Sequence, residues 1–149
     1  MTPNDALRSI ASLLRVQNAK LIEIVQMGGG AVELADLASY LKRDGEEGFA
    51  PCPQEMMAHF LNGLVVFKRG KQQGQPAAPL ETSVTNNLIL KKVRIAFELK
   101  DADIAAILAK AGLQVSKSER AAFFRHRDDL HYRACGDDVL QHLLNGLIR

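Results

Sequence analysis

His59-Phe60-Leu61-Asn62-Gly63-Leu64 returns 83 residues later as His142-Leu143-Leu144-Asn145-Gly146-Leu147, with five of the six positions identical. Asn-Gly between apolar residues is ordinarily the strongest short hairpin signal. Here it reads as helix. Too few residues follow Gly146 for a returning strand, and Val139, Leu140, Leu143, Leu144 and Leu147 hold a helical period straight through the pair.

Carrying the same offset outward lays residues 4–66 on 87–149 without a gap. Thirteen of the 63 positions then match, against roughly four expected from average residue usage. Outside the Asn-Gly segment the identities include Asn4/Asn87, Ile24/Ile107, Gly29/Gly112 and Cys52/Cys135. A repeat of this kind decides the fold before any local reading does. The expected architecture is all-α: two tandem four-helix repeats with helix-turn-helix-like cores, related by pseudo-twofold symmetry. The domains are helical repeat 1 (4–66), a linker (67–86) rich in Gly, Gln and Pro, and helical repeat 2 (87–149). A 63-residue unit is near the lower limit of independent stability, so the copies are expected to share a core.

Within each repeat the helix signals recur. Pro3 opens the first helix, followed by Leu7, Ile10, Leu13 and Leu14. Asn18 and Asp101 are expected N-caps of the second helices, and Gly29 and Gly112 their left-handed ends. Ser116 with Glu119 spells a capping box for a third helix, which is expected to bury Ala121 and Phe124, or Ala38 and Leu41 in repeat 1. The fourth helices start near Pro53 and Asp137. Gly63 and Gly146 sit inside them, where Gly costs about 0.5–1 kcal/mol, and a close helix contact is the expected reason.

The composition of the 149 residues excludes several classes. Hydrophobic residues are 47% and charged residues 24%, as in ordinary globular domains. With 5% aromatics and no Trp, aliphatic side chains must fill the core. No apolar run approaches a membrane span. The segment Met1-Thr2-Pro3-Asn4-Asp5 does not look like a secretory signal, so a cytoplasmic location is expected, and Cys52 and Cys135 are expected to be reduced.

The segments Leu-Lys-Asp-Ala-Asp-Ile (99–104), Ala-Gly-Leu-Gln-Val-Ser (111–116) and Tyr-Arg-Ala-Cys-Gly-Asp (132–137) resemble the bacterial YehS-like family. So do Glu47-Gly48-Phe49 and Phe60-Leu61-Asn62-Gly63-Leu64 followed by Lys68-Arg69-Gly70. The resemblance covers essentially the whole chain and implies a duplicated helical fold, but no catalytic residues. Repeat 1 departs from the pattern at Gly28-Gly29-Gly30, which replaces Ala111-Gly112-Leu113 and is expected to make that connection looser.

Charge is unevenly divided. Repeat 1 has five basic against eight acidic residues, −3, whereas repeat 2 has eleven against eight, +3. In a helix-turn-helix reading the third helix of repeat 2 would present Lys117, Arg120, Arg125 and Arg127, with His126 beside them and Lys91, Lys92 and Arg94 on the first helix. The connection through Gly112 is about two residues longer than the usual turn, and a basic helix is also a common solvated face. In repeat 1 Leu34 and Leu37 replace Lys117 and Arg120. That face is expected to be covered by the other repeat, the linker or a second chain.

His131, Cys135 and His142 have loose ligand spacing, but a buried thiol beside a helix-capping His accounts for them, so no metal or cofactor is expected. The pairs Asp101/Asp103 and Asp137/Asp138 lie at helix starts, where acids favour the macrodipole. No acid, base and nucleophile set emerges. The expected function is a non-enzymatic binding or regulatory module acting through protein–protein contact, with nucleic-acid binding by repeat 2 as the competing use.

Overall fold

The computed structural model describes residues 1–70, 78–81 and 83–148, and among these the chain forms eight helices and no strand. Repeat 1 contributes α1 (Pro3–Leu14), α2 (Asn18–Met27), α3 (Leu34–Leu41) and α4 (Gln54–Arg69). Repeat 2 contributes α5 (Asn86–Ala96), α6 (Asp101–Lys110), α7 (Lys117–Phe123) and α8 (Asp137–Leu147). Helix α4 therefore takes in residues 67–69 of the expected linker. Residues 71–77 and 82 of that linker lie outside the described residues.

The two repeats begin and turn alike. Thr2 accepts the Asp5 amide at 3.1 Å while the Asp5 carboxylate takes the Thr2 amide at 3.3 Å, and Thr85 accepts the Leu88 amide at 3.2 Å. Arg15 and Glu98, at equivalent positions after α1 and α5, both adopt left-handed backbone, φ 55° and 54°. Gly29 and Gly112 close α2 and α6 at φ 88° and 83°, where a side chain would be strained. The next amides, of Gly30 and Leu113, reach back to the carbonyls of Val25 and Leu108 at 3.0 and 2.9 Å.

Two expectations need correction. The caps of α2 and α6 are Gln17 and Lys100, not Asn18 and Asp101; the Asp101 carboxylate is engaged by Arg120 instead. The third helices also bury a different stripe. Leu37 is fully buried in α3, and Ala122 and Phe123 are buried in α7. Of the expected residues, Ala121 is exposed, Ala38 is half-buried, and Leu41 and Phe124 are half-buried against the core. Phe124 lies just past the end of α7, with the Arg94 guanidinium 4.4 Å above its ring.

One core runs through both repeats. Ile10, Ile24, Leu37, Phe60 and Leu64 of repeat 1 join Leu90, Val93, Leu108, Leu140 and Leu144 of repeat 2 in a single cluster. Helix α4 packs on α5, and α1 packs on α8, so each repeat covers the other. Burial at this density makes each large side chain worth about 2–5 kcal/mol against Ala.

Glycine permits the closest approach. A Cβ built on Gly63 would overlap the carbonyl oxygen of Ile24, and one on Gly28 would overlap that of His59, so α2 and α4 meet backbone to backbone. At the equivalent crossing, a Cβ on Gly146 would overlap the Cγ2 of Ile107, a side-chain atom. The expected close contact is present at both glycines, and it is tighter in repeat 1. The Gly28-Gly29-Gly30 run is not a looser connection. His59 fills the space there: its Nδ1 lies 2.9 Å from the Gly28 carbonyl oxygen, and a Cβ on Gly30 would come within 2.6 Å of its ring. In repeat 2 the His142 Nδ1 turns to its own helix, 2.6 Å from the Asp138 carbonyl oxygen.

Candidate docking site

The loop after each third helix is held by an asparagine from the first. Asn4 is buried on α1. Its amide donates to the carbonyls of Tyr40 (3.1 Å) and Ala50 (2.9 Å), and its Oδ1 accepts the Cys52 amide (2.9 Å). Asn87 does the same in repeat 2 with Phe123 (3.0 Å), Arg133 (2.9 Å) and the Cys135 amide (2.8 Å). Every polar atom of the two side chains that can bind is thereby used. The Cys52 and Cys135 thiols are buried, unpaired and directed at the carbonyls of Pro53 and Gly136, each at 3.6 Å. Burial pushes both up to about 12, with Asp138 and Asp137 adding to the effect at Cys135.

The clamped loops share one backbone. Glu46 bonds back to Arg43 at 3.0 Å and Asp129 to His126 at 2.9 Å; Phe49 bonds to Glu46 at 3.1 Å and Tyr132 to Asp129 at 3.0 Å. Ala50 and Arg133 then return to Ser39 and Ala122, each at 3.3 Å. What differs is the outer surface. Where repeat 1 has Leu34, Lys42, Glu47 and Ala50, repeat 2 has Lys117, Arg125, Leu130 and Arg133.

In repeat 2 these residues, with Ser118, His131 and Tyr132, line a groove of about 810 Å³ between α7 and the loop. Leu130 stands at its edge, 92% exposed. The Asp129 side chain fixes the loop beneath it, accepting the His131 amide at 2.7 Å and an Arg125 Nη1–H at 3.4 Å. These bonds, the His131 amide first, hold its carboxyl below the usual range. Arg133 lies 3.3 Å from the Glu119 carboxylate across the groove. The result is a firmly held rim with three cations, one acid and an exposed leucine.

Only part of the expected basic face belongs to this surface. Lys117, Arg125, Arg127 and Lys91 are exposed. Arg120 is not a free reader: it forks onto Asp101 at 2.8 and 3.0 Å and donates to the Val115 carbonyl at 2.6 Å, tying α7 to the start of α6. The same hydrogen bonds lower the Asp101 carboxyl. Arg94 is stacked on Phe124, and burial, followed by the neighbouring Lys91 charge, lowers Lys92. Ser116 caps α7 through the Glu119 amide at 3.1 Å, but the Glu119 side chain turns to the Ser116 hydroxyl rather than to its amide.

The remaining candidates disperse. His126 accepts the Asp128 amide at 3.2 Å, His142 faces Asp138, and Cys135 is buried. No group of three or more His, Cys, Asp or Glu gathers to hold a metal among the described residues. Asp103 takes the Lys100 backbone amide at 2.8 Å, and Asp137 takes the amino terminus of Met1 and the Asn86 side-chain Nδ2–H, at 2.7 Å for the latter. Both bonds lower the Asp137 carboxyl, the amino terminus first.

Repeat 1 has a groove of about 580 Å³ on another side of its third helix, lined by Gly29, Gly30, Glu33, Asp36, Tyr40, Glu55 and His59 among others. Its character is acidic. Leu34, 57% exposed, stands beside Glu33, whereas Leu37 is buried on α3, which packs on α1 and α2. The expected Leu34/Leu37 face thus reduces to Leu34. Sequence reasoning missed Leu130, Tyr132 and Arg133. Their one signal is the comparison of repeats, since apolar Leu130 replaces Glu47 within an otherwise polar loop.

The family described as "Protein of unknown function (DUF1456)" matches residues 3–70 and 86–149, one stretch for each repeat. The chain belongs to this family. It is similar to the uncharacterized protein YehS of Escherichia coli (strain K12), with 42% identity over 147 residues, 99% of this chain and 94% of YehS. No solved structure matches the chain. No helix among the described residues is long and apolar enough to cross a membrane.

Proposed function

We propose that the chain is a non-enzymatic, cytoplasmic binding module that docks a protein partner through the groove beside α7. Its scaffold is two helix-turn-helix-like repeats related by an approximate twofold axis. Two contacts between the repeats support that symmetry, because exchanging the copies converts one into the other: the Met1 amino group meets Asp137, and the Val84 amide donates to Gln54 Oε1 at 2.8 Å. Met1 corresponds to Val84, and Gln54 to Asp137.

The observation carrying the functional reading is Leu130, 92% exposed on a loop fixed by Asp129 and Asn87. Apolar surface on an ordered edge gains most from contact with another protein. A phosphate-binding face would not gain from it, and Arg120 and Arg94, which such a face would use, are engaged within the fold.

The test titrates duplex DNA, structured RNA and single strands at two salt concentrations, alongside cross-linking to cellular protein. The expected result is no nucleic-acid binding, and protein cross-links that Leu130→Asp removes. Nucleic-acid binding with a log–log salt slope of about −0.9 per duplex phosphate, weakened by Lys117→Ala and Arg127→Ala but not by Leu130→Asp, would replace this reading with the nucleic-acid one.

A further inference from the structure

We propose that the groove beside α7 receives the α3 face of a second copy of this chain. The inference rests on the protein-docking reading and names its occupant. The groove of repeat 1 is lined by Glu33, Asp36 and Glu55, with the exposed Leu34 next to Glu33 in the chain. The groove of repeat 2 is lined by Lys117, Arg125 and Arg133 against one acid, Glu119, with the exposed Leu130 at its edge. The Glu33 and Asp36 carboxylates form no ion pair among the described residues, and neither does Lys117. The surplus of acid and the surplus of base are therefore both directed outward, on different repeats of one chain carrying −3 and +3. Opposite potentials steer such surfaces together and reject like pairs, while the two leucines supply apolar area to bury.

Duplication explains how one chain came to hold both halves. The loop backbones and the asparagine clamps match, and side chains that differ in charge lie on the outside: neutral Leu34 against basic Lys117, acidic Glu47 against neutral Leu130. Because the two halves are different surfaces, contact is head-to-tail, and each added copy leaves one acidic and one basic face unused. Association is then open-ended or ring-forming, and not limited to a symmetric dimer.

Sedimentation velocity on the full chain tests this with two charge-reversed variants. One carries Glu33→Lys and Asp36→Lys; the other carries Lys117→Glu and Leu130→Asp. All four positions are exposed, and circular dichroism checks that both variants fold. The wild type is expected to associate with concentration, about tenfold more weakly when salt is raised enough to screen contacts beyond a few ångströms. Each variant alone is expected to be monomeric. Their mixture is expected to associate again, because each supplies an intact surface that the other lacks. A monomeric wild type at low salt, association surviving in either variant, or a mixture that stays monomeric would overturn the proposal. If Leu130-dependent cross-links to other proteins persist with a monomeric wild type, self-docking fails while the protein-docking reading stands.

Discussion

Replacing Gly63 with Ala probes the backbone-to-backbone contact between α2 and α4. The added methyl would overlap the Ile24 carbonyl oxygen and lie 2.7 Å from the carbonyl carbon and 3.0 Å from the Gly28 nitrogen. All three are backbone atoms of the α2 segment, so no side chain can swing aside and the helices must separate. Overpacking costs about 1–3 kcal/mol, and a rigid neighbour puts this site at the upper end. Against it stands the helix gain of Ala over Gly, about 0.5–1 kcal/mol, leaving a net loss of about 2 kcal/mol. At ~2–4 °C per kcal/mol for a chain of this size, Tm falls by about 4–8 °C. Gly146→Ala is the control. There the methyl would overlap the Cγ2 of Ile107, which is stiff at χ1 in a helix but is a side chain rather than backbone. Strain therefore exceeds the helix gain by less, and a smaller net loss of about 0.5–1 kcal/mol is expected. Urea unfolding followed by far-ultraviolet circular dichroism measures both, with an unchanged m-value showing that the unfolding reaction is the same. A Gly63→Ala protein as stable as wild type, or equal losses at the two positions, would refute the backbone-contact argument.

Gly146→Leu, which Ile107 cannot accommodate by a small shift, is expected to lose about 1–3 kcal/mol in the same assay. Asn4→Ala leaves the Cys52 amide and the carbonyls of Tyr40 and Ala50 without their partner; a loss of about 1–3 kcal/mol is expected from urea unfolding. Leu37→Ala is expected to cost about 2–5 kcal/mol, whereas Leu34→Ala changes stability by less than about 0.5 kcal/mol and weakens self-association. The thiols hold their protons to about 12 when folded, against an ordinary 9.0. The unfolded chain gives them up first, so the thiol contribution to stability is complete below pH 9 and declines as pH rises through 12. Thiol titration at pH 8 should accordingly find both cysteines slow to react until the chain is unfolded, and Cys→Ser variants should flatten the alkaline fall.

The duplicated helices were legible because identity at a fixed spacing does not depend on knowing any contact. Asn4/Asn87 and Cys52/Cys135 stand out for that reason, yet their purpose does not: the clamp joins residues 36 to 48 positions apart, a distance no local pattern spans. The role of Arg120 is not legible locally, because its partner Asp101 lies on another helix, at a position whose residue type suits a cap. The third helices misled by one residue. In so short an element a helical period is weakly determined, and tertiary contacts chose Leu37 and Phe123 over Ala38 and Phe124. Gly28-Gly29-Gly30 read as slack only while the imidazole of His59, which occupies that space, was unknown. Leu130 was visible in the sequence, but its exposure follows from the Asp129 and Asn87 bonds that fix the loop.

Amide hydrogen exchange of the wild-type chain, compared between dilute and concentrated solution at low salt, tests the docking account most directly. Concentration is predicted to slow exchange in two places together, residues 33–36 at the start of α3 and 117–133 along the groove, and high salt to reverse both. Slowing confined to one repeat, or located elsewhere in the chain, would contradict it.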